Sequence, residues 1–476
     1  MSTQYYHIYT IGCQMNVYDS DQMARRLELS GFQPTNDLAQ ADIIITNTCT
    51  IRAKAEQKAF SFLGRLAKLK RGRPGLIVAI GGCVAQQQGR AILERMPHVD
   101  LVFGTQAISR LPEMVASIQR QHCRIVDVET SDSVRPGDFI VGGPTAAAVS
   151  AFVTIMRGCD NYCTYCVVPY VRGREVSRPP DDIINEIRQL VDMGVREVTL
   201  LGQNVNSYGQ REKLVGFCEL LEQVHAVNGI ERIRFTTSHP KDLSDELMDA
   251  FSRLDKLCPH IHLPVQAGSD AVLRRMNRKY TRARYLDKVD RLRRSCPGIA
   301  ITTDIIVGFP AENEADFQQT LDLIEQVQFD GLFAFIYSDR PHAPAARYAQ
   351  KVDEAIKKSR LQAVLALQET LTLAKHQALV GSIQSVLVEG PSKLGNVPAD
   401  AAPASTPVAL SGRLQWSGRT GTNKIVNFIL NGNRAQPHGM PKIDLTGQTI
   451  GVIIEKALAH SMWGRAASGT PVISDR

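Results

Sequence analysis

Three apolar runs punctuate the first 120 residues, HIYTIGC, DIIITNTC and GLIVAIGGC. Each ends on a cysteine in a turn of small and polar residues, before a helical stretch. The cysteines, Cys13, Cys49 and Cys83, stand 36 and 34 residues apart, close to the ~30 or more residues of a βαβ unit. Right-handed crossovers make such strands parallel, which predicts all three thiols at the carboxyl-terminal edge of one sheet. A second alternation begins at residue 148, where SAFVTIM, EVTLLG, RIRFTT, HIHLPV, AITTDIIVGF and GLFAFIY read as strands between amphipathic segments such as DDIINEIRQLVDMG. Six βα repeats predict an incomplete parallel barrel, short of the eight strands of a closed one. A stretch rich in Leu, Ala, Lys and Gln, Glu354 to Leu379, predicts a helix leading out. SIQSVLVEG, ALSGRLQW, KIVNFIL and QTIGVIIEKA then predict the short strands of a small antiparallel barrel.

The expected organisation is an α/β chain. A Rossmann-like parallel-sheet domain occupies 1–120, a linker 121–147, a partial (β/α)6 barrel 148–378, a small β-barrel 379–460 and a tail 461–476. The eighteen residues from Phe139 to Met156 carry no charge, about the length of a short membrane span. Gly142, Gly143, Pro144 and the surrounding Ala, Ser and Thr residues lower their hydropathy, so they read as a linker entering a strand. PSKLGNVPADAAPASTP, with four prolines, reads as a surface loop.

Composition narrows the class without naming a chemistry. With 43% hydrophobic and 22% charged residues in 476, the chain is neither disordered nor fibrous. Ten cysteines are too sparse for a disulfide scaffold, and MSTQYYHIYT lacks a secretory pattern, so free thiols in the cytoplasm are expected. The net charge of +7 permits a polyanionic partner, and its placement matters more than its size. Arg52 to Arg73 carries eight Lys and Arg against one acid, Arg274 to Arg284 six against none, and residues 381–476 nine against five. Either of the first two runs could be a solvated face. Both follow strands whose carboxyl ends face the cysteine edge, so Lys68, Lys70, Arg274, Arg275, Arg278 and Lys279 are predicted phosphate contacts for a nucleic acid.

The strongest local signal is RGCDNYCTYC, which places Cys159, Cys163 and Cys166 in a C-x3-C-x2-C loop after the first barrel strand. Three thiolates can hold three irons of a cubane and leave the fourth open to a small ligand. A structural zinc, the alternative, wants four protein ligands, and NYCTYCVVPYVRG offers no nearby fourth. Gln203, Asn204, Ser238, Gln266 and Asp304 follow or end barrel strands and are predicted to line the cavity. His239 and His262 also end strands, where a structural role is equally open. Cys123, Cys218, Cys258 and Cys296 follow no ligand spacing. No GxGxxG or P-loop points to a nucleoside triphosphate.

The cysteine loop, with Tyr165 just before its last cysteine, resembles the radical S-adenosylmethionine (SAM) superfamily. IGCQMN, TNTCTIRAKAEQK, GGCVAQ, RGCDNYCTYCVVPYVRGREVSR, LLGQNVNSYG, RFTTSHP, HLPVQAGSD, MNRKYTR and TDIIVGFPAEN extend the likeness to the methylthiotransferases, in the branch acting on isopentenylated adenosine of tRNA. The resemblance implies two [4Fe-4S] clusters, an auxiliary one on Cys13, Cys49 and Cys83 and a SAM-cleaving one on Cys159, Cys163 and Cys166. It further implies SAM contacts among Tyr165, Gln203, Asn204, Ser238, Gln266 and Asp304, and a terminal TRAM barrel. The implied reaction is methylthiolation of adenine C2, with one SAM as methyl donor and a second as radical source. The implied partners are a tRNA anticodon stem-loop, an electron donor and a sulfur source, for a monomer without membrane attachment. The chain differs from the family pattern at Ala267, Ala311, Asn313, His342 and Ala343; Gly is usual at 311 and common at 342. Rival substrates are threonylcarbamoyl-adenosine in tRNA and an aspartate of a ribosomal protein. A rival of another class is a non-catalytic iron-sulfur protein that binds RNA.

Overall fold

The computed structural model describes residues 3–50, 53–131, 148–392, 415–430 and 444–467. Six parallel strands open the chain: β1 (Gln4–Ile11), β2 (Phe32–Pro34), β3 (Ile43–Thr48), β4 (Ile77–Gly82), β5 (Leu101–Phe103) and β6 (Ile125–Asp127), in the order β2-β1-β3-β4-β5-β6. The central strands β3 and β4 are buried throughout, as a sheet covered by helices on both faces requires. One apolar cluster lies on each face, one around Met23, Leu27 and Leu111, the other around Phe60, Leu63 and Val84. The expected three repeats are therefore half of the sheet. Strand β6 carries the domain past residue 120, into the segment expected as linker; residues 132–147 of that segment lie outside the described residues.

The second domain contains six parallel strands, all at the segments expected from the sequence. They are β7 (Ser150–Thr154), β10 (Glu197–Leu201), β11 (Arg232–Thr236), β12 (His260–His262), β13 (Ala300–Val307) and β14 (Gly331–Ile336); a short antiparallel pair, β8 (Met156–Arg157) and β9 (Val176–Ser177), braces the cysteine loop. The strands form two three-stranded halves, β11-β10-β7 and β12-β13-β14, bridged where Ile233 pairs with Leu257. The arc remains open between β7 and β14. Its outer wall is built as the sequence pattern demands. In the helix Pro180–Asp192, Ile183, Ile184, Ile187 and Leu190 form one buried stripe, with Pro180 at the first position, where its missing N–H costs nothing.

The terminal domain is a closed barrel of β15 (Ile383–Pro391), β16 (Trp416–Thr420), β17 (Ile425–Ile429), β18 (Thr449–Ala457) and β19 (Met462–Ala466), in the order β15-β16-β17-β19-β18. Its pairs are antiparallel except β17 with β19. Three expectations change here. Strand β19 lies in the segment expected as a tail, β16 begins where ALSGRLQW ends, and the proline-rich loop lies almost wholly outside the described residues. The helix Glu354–Gln377 leads into this barrel as expected.

The small barrel docks on the amino-terminal ends of the β11–β14 strands. Arg232 donates to the Arg419 carbonyl at 2.7 Å, and Arg234 to those of Thr420 and Gly421 at 2.8 Å each. Arg234 also pairs with buried Glu197 at 2.9 Å, and Asp330 takes both Lys424 and Lys375. These anchors sit one strand length from the cysteine end, ~17 Å for five residues.

Candidate functional site

The two cysteine triads lie at the carboxyl ends of two parallel sheets that face each other. Cys13 follows β1 and caps the helix Gln14–Leu29, Cys49 follows β3, and Cys83 follows β4. A buried amide pair sets this edge: Asn16 donates to Asn47 and to the Thr48 carbonyl, while Asn47 donates to the Asn16 carbonyl and Ser20. Gly12 permits the close approach, because a Cβ there would stand 2.7 Å from that of Cys49 and 2.1 Å from Asn16 Oδ1. A hydrogen bond from Cys49, then the charge of Arg172 working against burial, bring the Cys13 thiol down to about 6. Burial instead holds the Cys83 thiol above its ordinary value.

The second triad is held by backbone geometry and one buried arginine. Gly158 has φ +77, and a Cβ would collide with the Arg174 carbonyl at 1.9 Å, so only glycine suits this turn. Cys159 N–H donates to the Gly173 carbonyl, Cys166 N–H to that of Cys163, and Thr164 N–H to that of Met276. Arg278, 4% exposed, reaches Cys163 Sγ and Tyr165 Oη at 3.3 Å each, Tyr280 Oη at 2.9 Å and the Pro264 carbonyl at 2.7 Å. Burial pushes the Cys159 and Cys166 thiols up to about 12. His239 is held near 2, first by burial and then by Arg278. Its Nδ1 accepts from Lys241 N–H at 3.2 Å, so the proton of the neutral ring sits on Nε2, 4.0 Å from Cys163 Sγ.

The triads are neighbours across the domain seam. Cys83 shares a buried apolar cluster with Val167 and Val171, one and five residues beyond Cys166, and with Ala343. Arg172, one residue further, crosses the seam to Asp19 at 2.7 Å, with both side chains under 10% exposed. Arg172 is a residue that sequence reasoning missed. A cation inside an apolar loop following the last cysteine was its only signal.

The cysteine pattern suits a cluster better than a single ion. Each set supplies three thiols, the number that holds three irons of a cubane and leaves the fourth open. A structural zinc wants four protein ligands. The cavity end of the partial barrel also holds buried polar atoms without a protein partner: Ser238 Oγ, Gln266 Oε1, Gln203 Nε2 and both amide atoms of Asn206. Such atoms call for a polar ligand. Thr237 and Gln266 sit at φ +71 and +75, strain that accumulates where a site is held against local preference. Ser238 and Gln266 are two of the residues expected to line the cavity, and Asn206, which the sequence did not single out, is a third with unpartnered polar atoms.

Most of the other predicted residues have partners within the protein. Asn204 is spent on the protein, donating to Ser207 and Asp242 and accepting from His239 N–H, and Gln203 Oε1 accepts from Gly158 N–H. Asp304 lies 3.5 Å from His262. Arg278 is buried against the cysteine loop, so it cannot be a phosphate contact. Lys70 is tied to Asp100 at 2.8 Å, and Arg275 donates to the Ala311 carbonyl. Lys68, Arg274 and Lys279 are exposed.

Comparison with known proteins places this geometry. A family model described as the Radical SAM superfamily matches residues 153–324, spanning the second triad, and one described as Uncharacterized protein family UPF0004 matches residues 5–104, spanning the first. A tRNA-2-methylthio-N(6)-dimethylallyladenosine synthase of Desulfosudis oleivorans is 53% identical, covering 97% of this chain and 96% of that protein. The chain belongs to this family. Synthases of the same name from Syntrophus aciditrophicus and Geobacter metallireducens are 50% and 48% identical, over 96% and 97% of this chain and 94% and 98% of theirs. The solved radical S-adenosylmethionine methyltransferase TsrM of Kitasatospora setae shares the fold at a TM-score of 0.54, with 13% identity, over 86% of this chain and 83% of that one. Two family-pattern departures acquire a physical meaning against this synthase background. Ala311 and His342 occupy φ +63 and +70, the left-handed region where glycine carries no Cβ penalty.

Proposed function

We propose that this chain methylthiolates C2 of N6-(dimethylallyl)adenosine in the anticodon loop of tRNA, with two [4Fe-4S] clusters and SAM as cofactors. The observation that carries the reading is the packing of Cys83 against Val167 and Val171, which joins the two triads at one seam. Cys13, Cys49 and Cys83 are the ligands assigned to one cluster, Cys159, Cys163 and Cys166 to the other. When bound, the clusters and SAM supply a 5′-deoxyadenosyl radical on one side of the seam and the sulfur on the other.

The chain itself positions and shields. Arg278 ties Cys163 to Tyr165 and the β12 end of the barrel, so the cysteine loop keeps one conformation. Neutral His239 presents an N–H toward Cys163. Ser238, Gln266 and Asn206 offer the hydrogen bonds assigned to SAM, while Gln203 and Asn204 act by fixing the loops around them. Apolar Val167, Val171 and Ala343 exclude water between the triads. Exposed Lys68, Arg274 and Lys279 are assigned to RNA phosphates. A monomer working in the cytoplasm with an external reductant and sulfur source completes the reading; among the described residues no helix is long and apolar enough to cross a membrane.

The test is anaerobic cluster reconstitution, incubation with reductant, SAM and isopentenylated tRNA, and mass spectrometry of the digested RNA. A methylthio group on the dimethylallyl adenosine is expected. Its absence, or its appearance only on another nucleoside or on a protein, overturns the assignment.

A further inference from the structure

Three aromatic rings stand on the rim where the triads meet. Tyr162, between Cys159 and Cys163, is 44% exposed, and Tyr170, four residues beyond Cys166, is 43% exposed. Their rings meet edge to face with centroids 6.5 Å apart, and His342 lies tilted against Tyr170 at 6.2 Å. Large aromatic surfaces are normally drawn inward or given a partner. Here the neighbours are drawn inward and the rings are not: Val171 and Ala343, adjacent to Tyr170 and His342, are buried with Cys83.

The rings are also fixed in place. Tyr162 and His342 both have left-handed backbones, φ +47 and +70, and the Tyr162 carbonyl accepts from Asn277 Nδ2 at 3.0 Å. Strained positions of this kind persist where the surroundings dictate them, and they cluster at ligand clamps. Cationic side chains flank the rim in sequence, Arg174 with 53% of its side chain exposed and Arg347 exposed.

We infer that Tyr162, Tyr170 and His342 form a stacking platform for the unpaired nucleobases that flank the target adenine. The inference rests on the tRNA reading above. An adenine drawn out of the loop to reach the seam leaves its neighbours without stacking partners. Aromatic faces beside the seam replace that lost stacking, and they do so whatever the neighbouring bases are, because every base has a π-face. The flanking bases are then held while the target base enters between the triads.

The test uses the reconstituted enzyme and a synthetic anticodon stem-loop carrying the dimethylallyl adenine, with 2-aminopurine beside it. Fluorescence anisotropy gives Kd, and 2-aminopurine emission reports stacking. The wild-type protein quenches the emission on binding. Tyr170→Ala weakens binding by between about 5-fold and 150-fold, the range corresponding to ~1–3 kcal/mol per stacked base, and relieves the quenching; Tyr170→Phe retains both. His342→Gly, whose backbone suits φ +70 without strain, keeps the fold and also relieves part of the quenching. The slope of log Kd against log salt stays at the wild-type value, since no phosphate contact is removed. Unchanged Kd and quenching in Tyr170→Ala and His342→Gly, with a wild-type protein that binds and methylthiolates the stem-loop, overturn the platform alone. A wild-type protein that does not bind the stem-loop overturns the tRNA reading itself.

Discussion

Arg278→Lys keeps a positive charge at residue 278 and removes the planar fork that reaches four acceptors: Tyr280 Oη, Cys163 Sγ, Tyr165 Oη and the Pro264 carbonyl, at 2.7 to 3.3 Å. A lysine ammonium at this depth can serve about two of them. Two lost hydrogen bonds from a charged donor, at ~1.5–3 kcal/mol each, set the expected destabilisation at ~3–6 kcal/mol. For a unit the size of the partial barrel this lowers the melting temperature on the order of 10 °C. The assay is thermal unfolding of the cluster-free protein, followed by stem-loop affinity across a salt series with the reconstituted protein. Arg278→Lys lowers stability and leaves the salt slope unchanged. Arg274→Ala, on an exposed neighbour, does the reverse: stability stays within ~0.5 kcal/mol and the slope falls by ~0.7–0.9 for one lost phosphate contact. An Arg278→Lys protein that melts with the wild type, or whose salt slope drops like that of Arg274→Ala, refutes the reasoning.

Asp19→Ala strands Arg172 in the seam and costs ~3–5 kcal/mol in urea unfolding of the cluster-free protein, most of it recovered in Asp19→Leu combined with Arg172→Met; a loss under ~1 kcal/mol contradicts the seam account. Ala311→Gly relieves a left-handed Cβ penalty of ~1–2 kcal/mol against ~0.4–1 kcal/mol of added chain entropy. Calorimetry should show a net gain of ~0.5–1 kcal/mol, and a loss counts against the strain. His260 is held near 3, first by burial and then by the charge of Arg234, so it stays neutral in the folded protein while the unfolded chain protonates near 6.5. Stability therefore falls as pH drops from about 6.5 toward 3, by at most ~1.4 kcal/mol per unit. His260→Asn removes its own share of that loss and leaves the share of His239, held near 2; a fall in melting temperature across the window as steep as the wild type's contradicts the assignment.

Legibility followed the reach of each signal along the chain. Cys13, Cys49 and Cys83 were readable as one edge because the period of a βαβ unit puts strand ends together, and Cys159 to Cys166 because the ligands lie on a single loop. The six barrel strands were readable because each carries its own apolar run. Strand β6 was hidden, since IVD is three half-buried residues in polar surroundings, and β19 because MWGRA has no alternation that marks a strand. The role of Arg278 was misread for a different reason. Within RRMNRKYTRAR its charge looks like its neighbours', and only the fold turns it inward while Arg274 and Lys279 face solvent. Arg172 and Asp19 meet across 153 residues of sequence, a separation at which one chain's pattern says nothing. Ala311 and His342 show the converse case: the sequence marks them as departures from the family pattern, and their left-handed φ gives the reason glycine is usual or common at those positions.

Two variants of the reconstituted enzyme test the division of labour between the triads most directly. With SAM, reductant and isopentenylated stem-loop, Cys163→Ala forms no 5′-deoxyadenosine and no methylthio product. Cys49→Ala still forms 5′-deoxyadenosine and inserts no sulfur. Full methylthiolation by Cys49→Ala, or SAM cleavage surviving in Cys163→Ala, would contradict the account of two cysteine triads serving one base at one seam.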